Sequence, residues 1–270
     1  AIQMQSEERV ERILWRVRHD GRVYTARLAE EYGVSEETVR RDIRALVRAS
    51  KVKRVHGGAT GLYPPSSENA YSVRRLRDAE AKRRIGAYAA SLIEDGEILA
   101  LDGGCCNEQL AKELFSKKGL IFVTNFIPAA NALNEKFQQN HIEGRTILLG
   151  GEMNCENLVS YGTLTEEMVE KFRFTRAFIS ASALSDSGAM IWNVGEGKIS
   201  RIMAEHAASV VLLCESAKFS QTSLYQYIDY SSVDMLVTDD AHGIPSETRA
   251  RLESEGVEVV ILKAESETNE

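Results

Sequence analysis

The sequence predicts two domains: a small helix-turn-helix with a basic hairpin, or wing, followed by a larger α/β domain on a mostly parallel sheet. Three observations carry this expectation. Residues 25–59, TARLAEEYGVSEETVRRDIRALVRASKVKRVHGGA, read as a short helix, a glycine turn, a capped arginine-rich helix and a basic hairpin. Beyond residue 98, short apolar runs recur, most of them continuous rather than alternating and several separated by helical stretches. That is the pattern of a parallel sheet covered on both faces. The charge is also divided: residues 1–60 hold 13 Lys or Arg against 9 Asp or Glu, and the remainder holds 20 against 31. A basic front on an acidic body confines a polyanion partner to the front. A chain of 270 residues is long for one core and suits this division.

In chain order, Ser6 is expected to cap a first helix, with Glu7 and Glu8 in its positive-end turn and Val10, Ile13, Leu14 and Val17 as its apolar stripe. His19-Asp20-Gly21 ends it, and Arg22-Val23-Tyr24 is extended. Thr25 is the next cap, and Leu28, Ala29 and Tyr32 form the buried face of the second helix. Gly33 supplies a turn in which positive φ is cheap only for glycine. Val34 plugs the gap between helices, and Ser35 caps the third helix.

In that third helix Val39, Ile43, Leu46 and Val47 bury one side, leaving Glu36, Glu37, Thr38, Arg40, Arg41 and Arg44 exposed. A helix pinned this way can lie in a major groove with its early residues toward base edges. Thr38 and Arg40 are the expected base readers; Arg41, Arg44 and Arg48 are placed on phosphates or neighbouring helices. Asp42 either holds an arginine or sits on a solvated face. Lys51 to His56 alternates basic and apolar residues as a half-buried strand does, and Gly57-Gly58 turns it back. Its cations Lys51, Lys53 and Arg54 then face the DNA backbone. The competing reading is a charged three-helix bundle or a protein-protein module.

Residues 60–68, TGLYPPSSE, read as a linker stiffened by Pro64-Pro65. A helix follows from about Ala79, with Ala81, Ile85, Tyr88, Ala89 and Leu92 as its apolar side. The run Arg74-Arg75-Leu76-Arg77 either anchors the linker on the acidic body, the favoured reading, or reaches DNA.

The expected strands of the body are the runs at 98–101, 120–123, 146–149, 177–179, 210–213, 235–237 and 257–262. Small or polar residues follow most of them: Asp102-Gly103-Gly104, Thr124-Asn125, Gly150-Gly151, Ser180-Ala181-Ser182-Ala183, Glu215-Ser216-Ala217-Lys218 and Thr238-Asp239-Asp240. Open α/β sheets bind ligands at the carboxyl ends of strands. Gly103-Gly104 opens into a helix near Cys106 or Asn107 whose amides could hold a phosphate, with Lys218 as balancing cation and Asp102 suited to a sugar hydroxyl. Taken singly, each residue also has an ordinary reading. The glycines can be tight turns, Lys218 a surface lysine, Asp102, Asn107, Thr124 and Asn125 caps, and Trp192 core or lid. Cys105, Cys106, Cys155 and Cys214 form no C-x-x-C pair, which argues against a zinc site, and Cys105 and Cys106 read as small buried or semi-buried side chains.

The front segment resembles the N-terminal domain of the DeoR family of bacterial transcriptional regulators, on VSEETVRRDIRAL at 34–46 and KVKRVHGGA at 51–59. The resemblance implies operator binding by the 35–48 helix, supported by the wing, usually with repression of a sugar-catabolism operon. It makes Ser35, Glu36, Thr38, Arg40, Arg41, Arg44, Lys51, Lys53, Arg54 and His56 the DNA-facing residues. The body resembles the sensor domain of that family, a ribose-5-phosphate-isomerase or CoA-transferase type of α/β fold that binds a phosphorylated sugar. The matching pieces are LALDGG at 99–104, VTN at 123–125, LLGG at 148–151, AFIS at 177–180, GEGKISRIM at 195–203, ESAKF at 215–219 and VTDD at 237–240. By this resemblance Asp102, Gly104, Asn125, Glu196, Lys198 and Lys218 line the effector pocket. Gly103, Cys105, Cys106, Asn107, Thr124 and Gly151 complete the candidate set.

The chain departs from the family at several points. Ala49-Ser50 stands where glycine usually precedes the wing, and Cys105-Cys106-Asn107 stands where threonines usually follow DGG. No arginine follows LLGG, Thr175 stands where an aspartate usually precedes AFI, and Glu215 replaces the usual aspartate before SKF.

The expected boundaries are 1–60 for the DNA-binding domain, 61–78 for the linker and 79–270 for a sensing and oligomerisation domain. The expected partners are operator double-stranded DNA, a phosphorylated sugar effector and further copies of the chain as a dimer or tetramer. No cofactor, metal, catalytic residue or membrane is expected, in a cytoplasmic setting. The alternative is a sugar-phosphate isomerase-like enzyme fused to a DNA-binding module.

Overall fold

A computed structural model describes residues 5–62 and 70–264, which form two compact units. In the first, α1 (Ser6–Asp20), β1 (Arg22–Tyr24), α2 (Thr25–Tyr32), α3 (Glu36–Arg48), β2 (Val52–Val55) and β3 (Gly58–Gly61) follow one another. Ile13, Val17, Leu28, Ala29, Val39, Ile43 and Leu46 make its core, with Val10, Leu14, Tyr32, Val34 and Val47 packed against it. These are the stripes that helical spacing predicts. Ser6 and Thr25 are first residues of their helices rather than caps, a shift of one position. Gly33 closes α2 in the left-handed conformation at φ 63, and Ser35 accepts the Thr38 amide at 3.2 Å as the cap of α3.

The wing is a three-stranded antiparallel sheet in the order β1-β3-β2. Gly58 is required there, since a Cβ at that position would lie 1.8 Å from the Val23 carbonyl oxygen. Ser50, where the family resemblance leads one to expect glycine, adopts φ 53. Asp42 is buried and holds Arg9, whose Nη2 donates to Oδ1 at 3.2 Å, fastening α1 to α3.

The second unit begins with α4 (Tyr71–Arg74) and α5 (Ala79–Ser91). The chain then alternates through β4 (Ile98–Leu101), α6 (Cys105–Glu113), β5 (Lys117–Thr124), α7 (Ile127–Gln138) and β6 (Ile142–Leu148). A hairpin of β7 (Glu152–Asn154) and β8 (Val159–Tyr161) leads to α8 (Thr163–Val169) and β9 (Arg176–Ser180). Next come β10 (Ala183–Leu184), β11 (Gly188–Ile191), α9 (Val194–Glu205), β12 (Val210–Leu213), β13 (Tyr225–Asp229), β14 (Met235–Asp239), α10 (Ser246–Ser254) and β15 (Glu258–Leu262).

Seven of these strands form one parallel sheet in the order β15-β14-β12-β9-β4-β5-β6. Each strand feeds both faces by simple alternation. Leu99, Leu101, Val211 and Leu213 enter the core under α5, α6 and α7, whereas Ala100, Val210 and Leu212 enter the core under α8, α9 and α10. Every expected apolar run is a strand of this sheet. The small β10-β11-β13 sheet and the β7–β8 hairpin were not expected from the sequence.

Pro64-Pro65 and the serines of the expected linker lie outside the described residues. From Ala70 onward that stretch packs on the second unit. The Tyr71 amide donates to the Glu156 carbonyl at 2.9 Å and its hydroxyl to Glu108 of α6 at 2.7 Å, while its ring meets Phe126 edge-on.

Candidate functional site

In the first unit the sequence-expected DNA-facing residues lie on α3 and the wing. Glu36, Arg40, Arg41 and Arg44 are exposed on α3, and Lys51, Lys53, Arg54 and His56 on the wing. Thr38 is half-buried and shares a 2.9 Å hydrogen bond with the Ser35 hydroxyl. Arg40 pairs with Glu36 at 2.6 Å, and Arg44 pairs with Glu37. Exposed pairs of this kind are screened by water and contribute little, so a phosphate or base edge can take either guanidinium at little cost. Arg9 is the residue that sequence reasoning missed here. Through Asp42 it sets the seat of α3, and its only signal was a buried-side acid on an otherwise basic helix.

In the second unit β4, β5 and β6 wind outward on one side, and β9, β12, β14 and β15 on the other. The winding reverses between β4 and β9, and open parallel sheets bind ligands just beyond the carboxyl ends of strands at such a point. Asp102 and Ser180 stand there. The Asp102 amide donates to the Phe178 carbonyl at 3.0 Å. Its carboxylate accepts from the Gly103 amide at 2.6 Å and from the Ser180 amide at 3.3 Å, and the Ser200 hydroxyl, which donates to the Glu196 carbonyl at 3.2 Å, is close enough to influence it. Asn107 donates to the carbonyls of Asp102 at 2.9 Å and Phe178 at 3.1 Å, tying the ends of β4 and β9 together. Tyr227 donates to the Ser180 carbonyl at 2.6 Å. Gly104 has no room for a side chain, because a Cβ would lie 2.5 Å from the Ser180 hydroxyl.

Burial pushes the Asp102 carboxyl up to about 7; the nearby Ser200 hydroxyl and the hydrogen bonds from the Gly103 and Ser180 amides oppose the rise, and the nearby Glu196 carboxylate adds to it. Asp102 therefore organises the crevice through internal donors, and is less open to a ligand hydroxyl than its position in the sequence suggests.

Glu196, in the first turn of α9, is buried and accepts from Asn154 at 2.6 Å and from Asn157 at 3.3 Å. Lys198 leaves this cluster: two residues further along the helix, it is exposed and paired with Glu166 of α8. Thr124 and Asn125 are fully buried and locally engaged. The Thr124 hydroxyl accepts the Phe126 amide at 3.1 Å, and the Asn125 side chain donates to the Ser160 carbonyl at 2.9 Å. Gly151 is exposed, at φ 146, where a Cβ would meet Thr165 Oγ1 at 1.9 Å.

A charged cluster stands at the first turn of α6. Lys82 of α5 and Glu215 after β12 form a buried ion pair at 2.6 Å. Burial alone would lower the Lys82 ammonium and raise the Glu215 carboxyl. Their mutual attraction reverses both, with Lys218 assisting, so that Lys82 is held above its ordinary value and Glu215 down to about 2. Cys106 points its thiol at Glu215 at 3.8 Å, and burial pushes both the Cys105 and Cys106 thiols up. Neither is a reactive thiolate. Beside this cluster a cavity of about 290 Å³ is lined by Asp78, Arg84, Glu215, Asp239 and His242 among others. Among the described residues no group of His, Cys, Asp and Glu is placed to hold a metal ion, and no helix is long and apolar enough to cross a membrane.

Sequence reasoning missed Ser200, Asn154, Asn157, Tyr227 and Lys82. Only Ser200 carried a readable signal: it lies one helical turn after Glu196, on the same face.

Comparison with known proteins places these two units together. The DeoR-like helix-turn-helix domain matches residues 9–62, and the DeoR C-terminal sensor domain matches residues 77–240. A putative aga operon transcriptional repressor of Escherichia coli O157:H7 is 30% identical over 261 residues, 95% of this chain and 94% of the relative. The HTH-type transcriptional repressor GlcR of Bacillus subtilis (strain 168) is 31% identical over 96% of this chain and 98% of the relative. The glycerol-3-phosphate regulon repressor of Escherichia coli (strain K12) is 30% identical over 87% and 92%. A solved D-ribose-5-phosphate isomerase aligns at a TM-score of 0.38 and 14% identity over 52% of this chain and 53% of that one, too loose a likeness to carry an argument. With the sensor-domain match alone spanning more than half its length, the chain belongs to the DeoR family of transcriptional regulators.

Proposed function

We propose that this chain is a sequence-specific repressor of a carbohydrate-catabolism operon, and that a phosphorylated sugar bound in the second unit controls its grip on operator DNA. The observation that carries the reading is the polar crevice at the reversal of the sheet: Asp102, Ser180, Ser200 and Glu196 converge there on a chain whose first unit presents α3 and a basic wing. The first turn of α6 and Lys218 supply the cationic side for a phosphate, and the carboxylates and hydroxyls the side for a polyol. A switch of this kind works if the sugar phosphate binds one arrangement of the DNA-binding units more tightly than another. Operator half-sites call for a symmetric oligomer, and a dimer or tetramer through the second unit meets that need.

Regulation is favoured over turnover because the groups that an isomerase would need are already committed. Glu215 is neutralised by Lys82, and the Asp102 carboxylate is engaged by the Gly103 and Ser180 amides.

The assignment on the DNA side is tested by two substitutions. Arg40→Ala should reduce discrimination between the operator and a random duplex by about tenfold or more, as expected for a base reader. Lys53→Ala should weaken both duplexes alike and lower the salt dependence of binding by roughly one unit. Equal losses on both duplexes from both variants would refute this division of labour.

A further inference from the structure

The turn that runs from Asn154, the last residue of β7, to Leu158, just before β8, makes bonds in two directions. Toward the crevice, Asn154 and Asn157 donate to the Glu196 carboxylate at 2.6 and 3.3 Å. Away from it, the Glu156 carbonyl accepts the Tyr71 amide at 2.9 Å, and Asn157 Oδ1 accepts from Arg74 at 3.1 Å. The turn is itself rigid, because Asn154 Oδ1 accepts the amides of Glu156 at 3.0 Å and Asn157 at 3.2 Å. Tyr71 and Arg74 belong to α4, the first element among the described residues after the DNA-binding unit. The same Tyr71 reaches Glu108 on α6, the helix whose first turn faces the crevice.

We propose that the β7–β8 turn is the relay between the sensor crevice and the connector, with Asn157 bonded at once to Glu196 inside and to Arg74 outside. Asn154 and Asn157 are positioning residues. They set Glu196 from one side while their own turn holds α4 from the other, so a ligand that draws Glu196 toward itself loosens or reseats α4. The energetic link runs both ways, as coupling between sites must. This relay rests on the reading of the second unit as a sensor, yet it is testable without the effector.

The experiment is hydrogen–deuterium exchange on the full chain. Glu196→Gln keeps the side-chain shape but removes the charged acceptor, and should speed exchange of the 71–75 amides by roughly tenfold. In a background that carries both Asn154→Ala and Asn157→Ala the same substitution should add less than about twofold, because both bonds to Glu196 are then gone. Unchanged rates at 71–75 in Glu196→Gln, or a tenfold effect that survives in the doubly substituted background, would overturn the relay.

If Glu196→Gln loosens β9 and β12 as well, the reciprocal variant decides. Arg74→Ala should speed exchange in residues 152–157 and in the first turn of α9 by a similar factor, and unchanged rates there would refute the proposal. A positive relay in a protein whose operator affinity no sugar phosphate moves would leave the relay standing and remove the sensor reading alone.

Discussion

Lys82→Met is expected to lower the stability of the second unit by about 3–5 kcal/mol, the usual cost of removing one partner from a buried ion pair. Lys82 and Glu215 are 4% and 9% exposed, so neither charge has water to fall back on. Methionine fills much of the lysine volume, and the loss therefore comes from the stranded carboxylate rather than from a cavity. Glu215 owes its depressed proton affinity to Lys82 first and Lys218 second; without Lys82 it would take up a proton or draw in water. Adding Glu215→Gln to Lys82→Met should recover most of the loss, since the buried charge is then gone. Denaturant unfolding of the two variants and their combination measures this. A single-variant cost below about 1 kcal/mol would mean that the pair is solvated in solution.

The second large effect is a dependence on pH. Asp102 titrates near 3.8 in an unfolded chain and near 7 in the folded one, so the folded state holds a proton that the unfolded state releases between those values. Stability therefore falls as pH rises through that window and levels off above it, by on the order of 4 kcal/mol in full. Between pH 5 and 8 the wild-type unfolding free energy should fall by roughly 2–3 kcal/mol relative to Asp102→Asn, whose side chain is neutral throughout. Glu215 does not blur the result, because its depressed carboxyl changes stability only as pH falls from about 4.5 toward about 2. Parallel curves for wild type and Asp102→Asn across pH 5–8 would show that the crevice admits enough water to keep Asp102 ordinary.

What the sequence revealed was what depends on near neighbours. Gly33, Ser35 and the spacing of Val39, Ile43 and Leu46 specify the helix-turn-helix because caps and stripes are local. The parallel sheet was equally legible, since strands buried on both faces must be continuously apolar. The β10-β11-β13 sheet and the β7–β8 hairpin were not, being built from strands of two to five residues, most too short to show a period. Lys82 sits in the run AKRR, which reads as a solvated face; its burial is decided by Glu215, far away in the chain. Lys198 shows the opposite error. It stands two residues from Glu196 in the same motif, but on a helix that separation points the two side chains to nearly opposite sides, one into the crevice and one to Glu166. Asp102 was legible as a polar residue at the end of a strand, though its bonds from the Gly103 and Ser180 amides were not.

In the proposed function a phosphorylated sugar governs DNA binding. This is tested most directly by measuring the affinity of the full chain for an operator selected from random duplexes, with sugar phosphates and the matching free sugars added in turn. At least one sugar phosphate should change operator affinity about tenfold or more while its free sugar does not, and Lys218→Ala should lose that difference. An operator affinity that no sugar phosphate moves, or a chain that prefers no duplex over another, would contradict the account.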